Sequence, residues 1–338
     1  MNVRTILFSR SFLLIFFSFF FLWISFDFFI LFPLFILERG GNSVDVGIQT
    51  AIFFFPSVIL RPIAGWITDR TGRVKTIWAG TVLMILTSFA FLFLPGSYQD
   101  FKVLCAIILF LRGLGFSLFY VAFFTYTADL APIAIRARII GLFGVSGLVA
   151  HGCAPKVAEL VLRYWKFTGY FVASGLLATF SLIIALFLKE QPYAKSEEGK
   201  AFHSLRNVTF NIRNLIVLPG AFTFGFAVAS FNTFGAAYFQ KIPGTSVGYF
   251  FLLYGSMAGL IRVLFGGFAD RYPRWKLVGI FFAMQAAGLM FVIWNPVQVN
   301  YLIGAAIAGA AHGILFPTMA AMAVDAHPPE NRGLITSV

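Results

Sequence analysis

Polar residues are confined to short links along this chain, and between them run long, almost uncharged apolar segments. These fall at 11–37, 46–67, 75–94, 101–127, 137–160, 167–189, 214–240, 245–268, 276–294 and 298–324. Most are close to the roughly 20 residues a helix needs to cross a bilayer core. The pattern therefore predicts an all-α polytopic membrane protein with about ten complete spans, and "GLITSV" at 333–338 reads as the start of an eleventh. The one long polar stretch, "KEQPYAKSEEGKAFHSLRNVTFNIRN" at 189–214, carries charge and a proline and lacks apolar periodicity. It divides the chain into a first bundle at 1–189, a linker at 190–213 and a second bundle at 214–338. With the N-terminus inside, the inner links hold sixteen Lys and Arg and the outer links six, so the N-terminus and linker are expected on the cytoplasmic side. The first run is too long for a signal-peptide core and has no small-x-small cleavage site, so it is expected to stay as span one.

Composition sharpens this picture. Of 338 residues, 59% are hydrophobic, 18% aromatic and only 11% charged, which rules out a soluble globular domain. The net charge of +12 would suit nucleic acid if it formed one face, but it sits in the links between spans. Cys105 and Cys153 lie within apolar runs and read as small packing residues. His151, His203, His312 and His327 are scattered with no acid at motif spacing, so no enzyme, metal or cofactor is expected.

One charged phrase occurs twice. "RPIAGWITDRTGRVK" at 61–75 and "RVLFGGFADRYPRWK" at 262–276 align 201 residues apart, pairing Arg61 with Arg262, Gly65 with Gly266, Asp69 with Asp270, Arg70 with Arg271, Arg73 with Arg274 and Lys75 with Lys276. A second pair, "DLAPIAIR" at 129–136 and "DAHPPENR" at 325–332, aligns 196 apart, and so do Gly113 and Gly309. Two anchors at nearly one offset, each at the inner end of its span, indicate a duplicated membrane unit.

"GWITDRTGRVK" resembles the signature loop between the second and third helices of the major facilitator superfamily, Gly-x-x-x-Asp-Arg-x-Gly-Arg-Arg/Lys. "GGFADRYPRWK" is similar to the degraded copy between helices eight and nine, and "RGLGF" at 112–116 to the fourth-helix arginine with its glycines. The resemblance implies two pseudo-symmetric six-helix bundles, so helices eleven and twelve are expected to be missing from this chain. It also implies that Asp69, Arg70 and Arg73 gate the inner side by stabilising the outward-open state. Asp270, Arg271 and Arg274 are the corresponding gate candidates of the second half, with Gly65 expected to allow close helix approach.

Asp27, in "LWISFDFFILFP", lies about ten residues from the outer end of span one, roughly 15 Å deep. A carboxylate at that depth is costly and usually faces a bundle interior, which makes it a proton-coupling candidate. Arg112, similarly deep in span four, is the expected partner. Arg61 and Arg262 lie about two turns inside the loop aspartates and are assigned to gating. Asn232, His151, His312 and Gln285 are weaker substrate-binding candidates, and Tyr120 and Tyr254 read as packing aromatics. Glycines 141, 144, 147 and 152 suggest close crossings of span five, which is loosely similar to the fifth helix of the family's antiporters: Gly152 and Pro155 are present but not adjacent.

The resemblance implies a monomeric secondary transporter of a bacterial inner membrane that moves a small molecule by alternating access, with protons and by efflux antiport. Substrate is expected midway between the halves. Proton-coupled uptake of a sugar or other metabolite, and a non-transporting sensor or assembly protein that keeps the fold, stay open as alternatives.

Overall fold

The computed structural model describes residues 3–132, 135–191, 214–265, 272–294 and 299–325, leaving out the side chains of 137, 214–218 and 323–325. All regular structure among these residues is helical. After a short helix, Val3–Leu7, come α1 (Arg10–Glu38), α2 (Ser43–Ile59 with Arg61–Thr71), α3 (Arg73–Phe93), α4 (Tyr98–Asp129), and α5 and α6 at 136–165 and 167–185. Then follow α7 (Asn214–Gln240), α8 (Val247–Phe265), α9 (Arg274–Trp294) and α10 (Asn300–Asp325). Among the described residues seven helices are long and apolar enough to cross a membrane, eight if the bent α2 counts as one. One of them, Arg138–Ala185, has 48 residues, about twice a bilayer core at 1.5 Å per residue. It breaks at Lys166 (φ 52°, ψ −162°), a conformation uncommon outside glycine, and so supplies two of the expected crossings. The helices form two compact units, Met1–Lys195 and Ser196–Val338.

Prolines shape the helices at informative places. Pro33 has no N–H to give the carbonyl four residues back, and α1 passes through a 3-10 turn at Phe28–Leu31, directly after Asp27. Pro62 acts similarly in α2, whose segments meet at Leu60 with a 48° bend that begins the inner segment at Arg61. The link between α2 and α3 is a single residue, Gly72, at φ +103° and ψ 155°, where an L side chain would be strained.

In the first unit α1 packs against α5–α6, α3 against α4, and α4 against α2. Lipid offers no hydrophobic gain for helix association, so small residues and hydroxyls carry it. Ser18 and Ser181 each donate to the other's carbonyl, at 3.0 and 2.6 Å, and Ser25 and Ser174 do the same at 2.8 and 3.1 Å. Both helices thus present serines seven residues apart, a two-point clasp of antiparallel α1 and α6. Each such contact contributes roughly 0.6–1.7 kcal/mol.

In the second unit α10 packs against α9 and α8. The duplication read from the loops recurs in this packing. A Cβ on Gly113 would collide with the Phe53 carbonyl oxygen, and one on Gly309 with that of Tyr254. Gly113 and Gly309 are 196 apart and Phe53 and Tyr254 are 201 apart, so both copies cross these helices at the same place.

Candidate functional site

Asp27 ends the first helical segment of α1 and is 3% exposed. Its Oδ2 lies 3.0 Å from Nδ1 of half-buried His151 on α5. One proton fits either side of that gap: ionised Asp27 accepts from the Nδ1–H, and protonated Asp27 donates to a bare Nδ1. One turn along the same faces, Trp23 lies against Gly147, and the buried Trp23 indole N–H has no acceptor among the described residues. Of glycines 141, 144 and 147, only Gly147 meets a neighbouring helix within 4 Å, at Phe19 and Trp23.

Arg112 is not the partner of Asp27. Its guanidinium, fully buried, donates to the Ser25 carbonyl at 3.0 Å and Ser88 Oγ at 2.9 Å, and lies over the Phe29 ring at 3.5 Å. The reason is angular: Ser25 and Asp27 are about 200° apart around α1, so a side chain that caps one faces away from the other. A buried guanidinium needs its hydrogen bonds made. Here the Ser25 carbonyl and Ser88 Oγ serve the two terminal nitrogens without a carboxylate, while the buried Nε has no partner among the described residues.

At the inner end of the same unit Arg73, nearly buried, reaches Asp69 and Asp129, each at 2.9 Å, and donates to the Thr68 carbonyl at 3.2 Å. Glu190, just after α6, accepts from the backbone N–H groups of Arg73 and Val74 at 2.8 and 3.0 Å. Its charge thereby caps the N-terminus of α3, where backbone donors are unpaired and the helix dipole favours an anion. Arg70 stays outside this cluster, exposed and stacked on Trp66 at 5.2 Å. Gly65 does not serve close approach within its unit, since a Cβ there meets nothing within 4 Å. The side chains of Asp270 and Arg271 lie outside the described residues; Arg274, half-buried, opens α9.

In the second unit, Tyr254 of α8 and His312 of α10 share a hydrogen bond of 2.6 Å, and Gln285 of α9 lies beside the same tyrosine hydroxyl. Gln285 is 4% exposed and its Oε1 has no partner among the described residues; the same holds for the buried Oδ1 of Asn232 on α7. His312 lies between Phe224 and Phe316, at 5.0 and 6.0 Å. Arg61 and Arg262 each stack on an aromatic ring, Arg61 over Tyr120 at 4.9 Å and Arg262 over Phe316 at 5.7 Å. Tyr120 and Phe316 are themselves 196 apart.

Sequence reasoning brought Asp27 and Arg112 to the interior but paired them wrongly, and it read Tyr254 as packing. It also passed over Glu190 as the first turn of a linker. Asp129 carried a usable signal, because it anchors the second repeated phrase.

The family model of the Major Facilitator Superfamily matches residues 4–338. An uncharacterized MFS-type transporter of Burkholderia mallei is 25% identical over 308 residues, covering 89% of this chain and 73% of that protein. The fold is similar to that of a D-xylose-proton symporter (TM-score 0.71, 15% identity, 96% of this chain and 85% of the other). It is also similar to that of the nucleoside transporter NupG in its D323A mutant (TM-score 0.76, 13% identity, 97% and 86%).

Proposed function

The chain belongs to the Major Facilitator Superfamily and is a membrane transporter, and from that premise we propose that it couples protons to export of a small molecule by alternating access. The supporting observation is the Asp27–His151 pair, an acid and an imidazole 3.0 Å apart inside the apolar part of the first unit. Placing either group there alone is costly, and a shared proton lowers that cost. Arg112 and Tyr170 also lie against this stretch of α1, bonded to the carbonyls of Ser25 and Phe28 rather than to Asp27, and Tyr120 packs on Trp23 one turn away.

In this reading the proton enters at Asp27, shifts to His151 and changes the hold of α5 on α1. The Asp69–Arg73–Asp129 cluster locks the inner end of the unit in one conformation, with Gly65, Arg70 and Arg61 in the same segment. Asp270, Arg271, Arg274 and Arg262 take the corresponding part in the second unit. Cargo contacts fall to Asn232, Gln285 and His312. Export is the assigned direction because His151 sits on the glycine-rich fifth helix, the one with antiporter likeness. The setting assigned is a bacterial inner membrane, as a monomer with a cytoplasmic N-terminus.

The test is transport in proteoliposomes under an imposed pH gradient, offering D-gluconate, D-sorbitol and tetraphenylphosphonium as anionic, neutral and cationic probes. A probe is expected to move against the proton flow, and Asp27→Asn to abolish that movement at least tenfold while thermal unfolding stays near wild type. Movement with the protons would reassign the protein to uptake symport. A wild type indifferent to the gradient would defeat the proton-coupled reading.

A further inference from the structure

The two copies of the duplicated unit differ in one respect that architecture does not require. In the first copy, Phe53 and Phe116 are apolar rings in contact, with centroids 6.1 Å apart. Their counterparts at offsets of 201 and 196 are Tyr254 and His312, joined by a hydrogen bond of 2.6 Å. Arg61 in the first copy has an acceptor for its Nε, the Ser57 carbonyl at 3.2 Å. The Nε of its counterpart Arg262 is buried and has none among the described residues. At this crossing the second copy thus adds polarity, and Arg262 lacks the Nε acceptor that Arg61 has. Buried polar atoms without partners are rare in folded proteins and call for an explanation.

These groups form one ladder. Arg262 and Tyr254 stand two turns apart on α8, about 12 Å of rise, and the guanidinium leans back toward Tyr254 because helical side chains tilt toward the N-terminus. Phe316 lies between Arg262 and His312, at 5.7 and 6.0 Å. Gln285 lies beside the tyrosine hydroxyl from α9, and its Oε1 has no partner among the described residues. No Asp or Glu occurs among the described side chains of this unit. A guanidinium stacked on a ring keeps its N–H edge for a bidentate oxyanion. At the other end, an unpartnered amide oxygen accepts a hydroxyl.

We infer that α8, α9 and α10 carry a binding site for a small hydroxy-carboxylate, its carboxylate on Arg262 and a hydroxyl on Gln285. This names the cargo class of the proposed transporter and rests on that reading only for its consequence, transport; binding can be measured without it.

The experiment measures equilibrium binding to the full-length protein in detergent, with D-gluconate and with D-sorbitol, which has an alcohol in place of the carboxylate. Gluconate is expected to bind at least tenfold more tightly than sorbitol. Arg262→Gln is expected to remove that preference, and Gln285→Glu, nearly isosteric, to weaken gluconate at least tenfold by setting a carboxylate in the site. Thermal unfolding confirms that each variant folds, and should Arg262→Gln fail, Gln285→Glu decides. Equal binding of the two probes, no binding of gluconate, or folded variants that bind as wild type would overturn the site. Selective binding without vectorial transport would uphold the site and defeat the transport reading instead.

Discussion

Arg112 and Asp27 show how far one buried charge can be understood from its neighbours. Arg112 satisfies two acceptors on different helices at once, the Ser25 carbonyl and Ser88 Oγ, while its face rests on Phe29. A lysine presents a point charge and cannot reproduce that fork. Arg112→Lys should therefore lose a charged hydrogen bond of about 1.5–3 kcal/mol and lower the unfolding temperature in detergent by roughly 5 °C or more. Because Arg112 does not touch Asp27, whatever protein survives should keep its response to a pH gradient. Loss of that response with unfolding unchanged would mean the two charges are partners after all. The sequence made both residues visible, since a charge inside an apolar run always stands out. It could not show which faces which: Ser25 and Asp27 are neighbours in the chain yet point to different helices, and only the rotation of α1 decides.

At the scale of elements, the inner ends of the helices depend on a one-residue link. Gly72 needs positive φ, and a Cβ there would stand 2.9 Å from a Glu190 carboxylate oxygen. Gly72→Ala should destabilise the first unit by at least about 1 kcal/mol through backbone strain. Glu190→Gln keeps the shape but removes the charge at the α3 N-terminus and should cost about 0.5–1 kcal/mol. Both are checked by thermal unfolding, and faster trypsin cleavage at Lys75 should accompany them. The phrase at 61–75 was legible as a loop between two helices, and Asp69 and Arg73 as its charges. Glu190 was not, because it lies more than a hundred residues away and its partners are backbone N–H groups, which leave no mark in side-chain chemistry.

For the whole molecule, the duplication is the property that sequence and packing state alike. Gly113 and Gly309 stand at equivalent crossings, each against a backbone carbonyl with no room to yield. Gly113→Val and Gly309→Val should each destabilise their own unit by about 1–3 kcal/mol. They share no partner, so the double variant should equal the sum of the two within about 0.5 kcal/mol by thermal unfolding. The loops announced the repeat because charges are sparse there and their spacing is distinctive. Within the spans the copies have diverged, and Tyr254 and His312 were opaque beside Phe53 and Phe116 until the shared crossing aligned them.

The arginine at the inner end of the first unit has a mechanical consequence. Arg73 begins α3, Asp69 lies near the end of α2, Asp129 ends α4 and Glu190 follows α6. Four helix ends from distant parts of the chain are thus tied to one residue and its backbone. A pull on any of them is shared by the other three. The bend at Leu60 lies above this knot, so flexing there would swing the tied ends as one lever, with one side chain as its rivet.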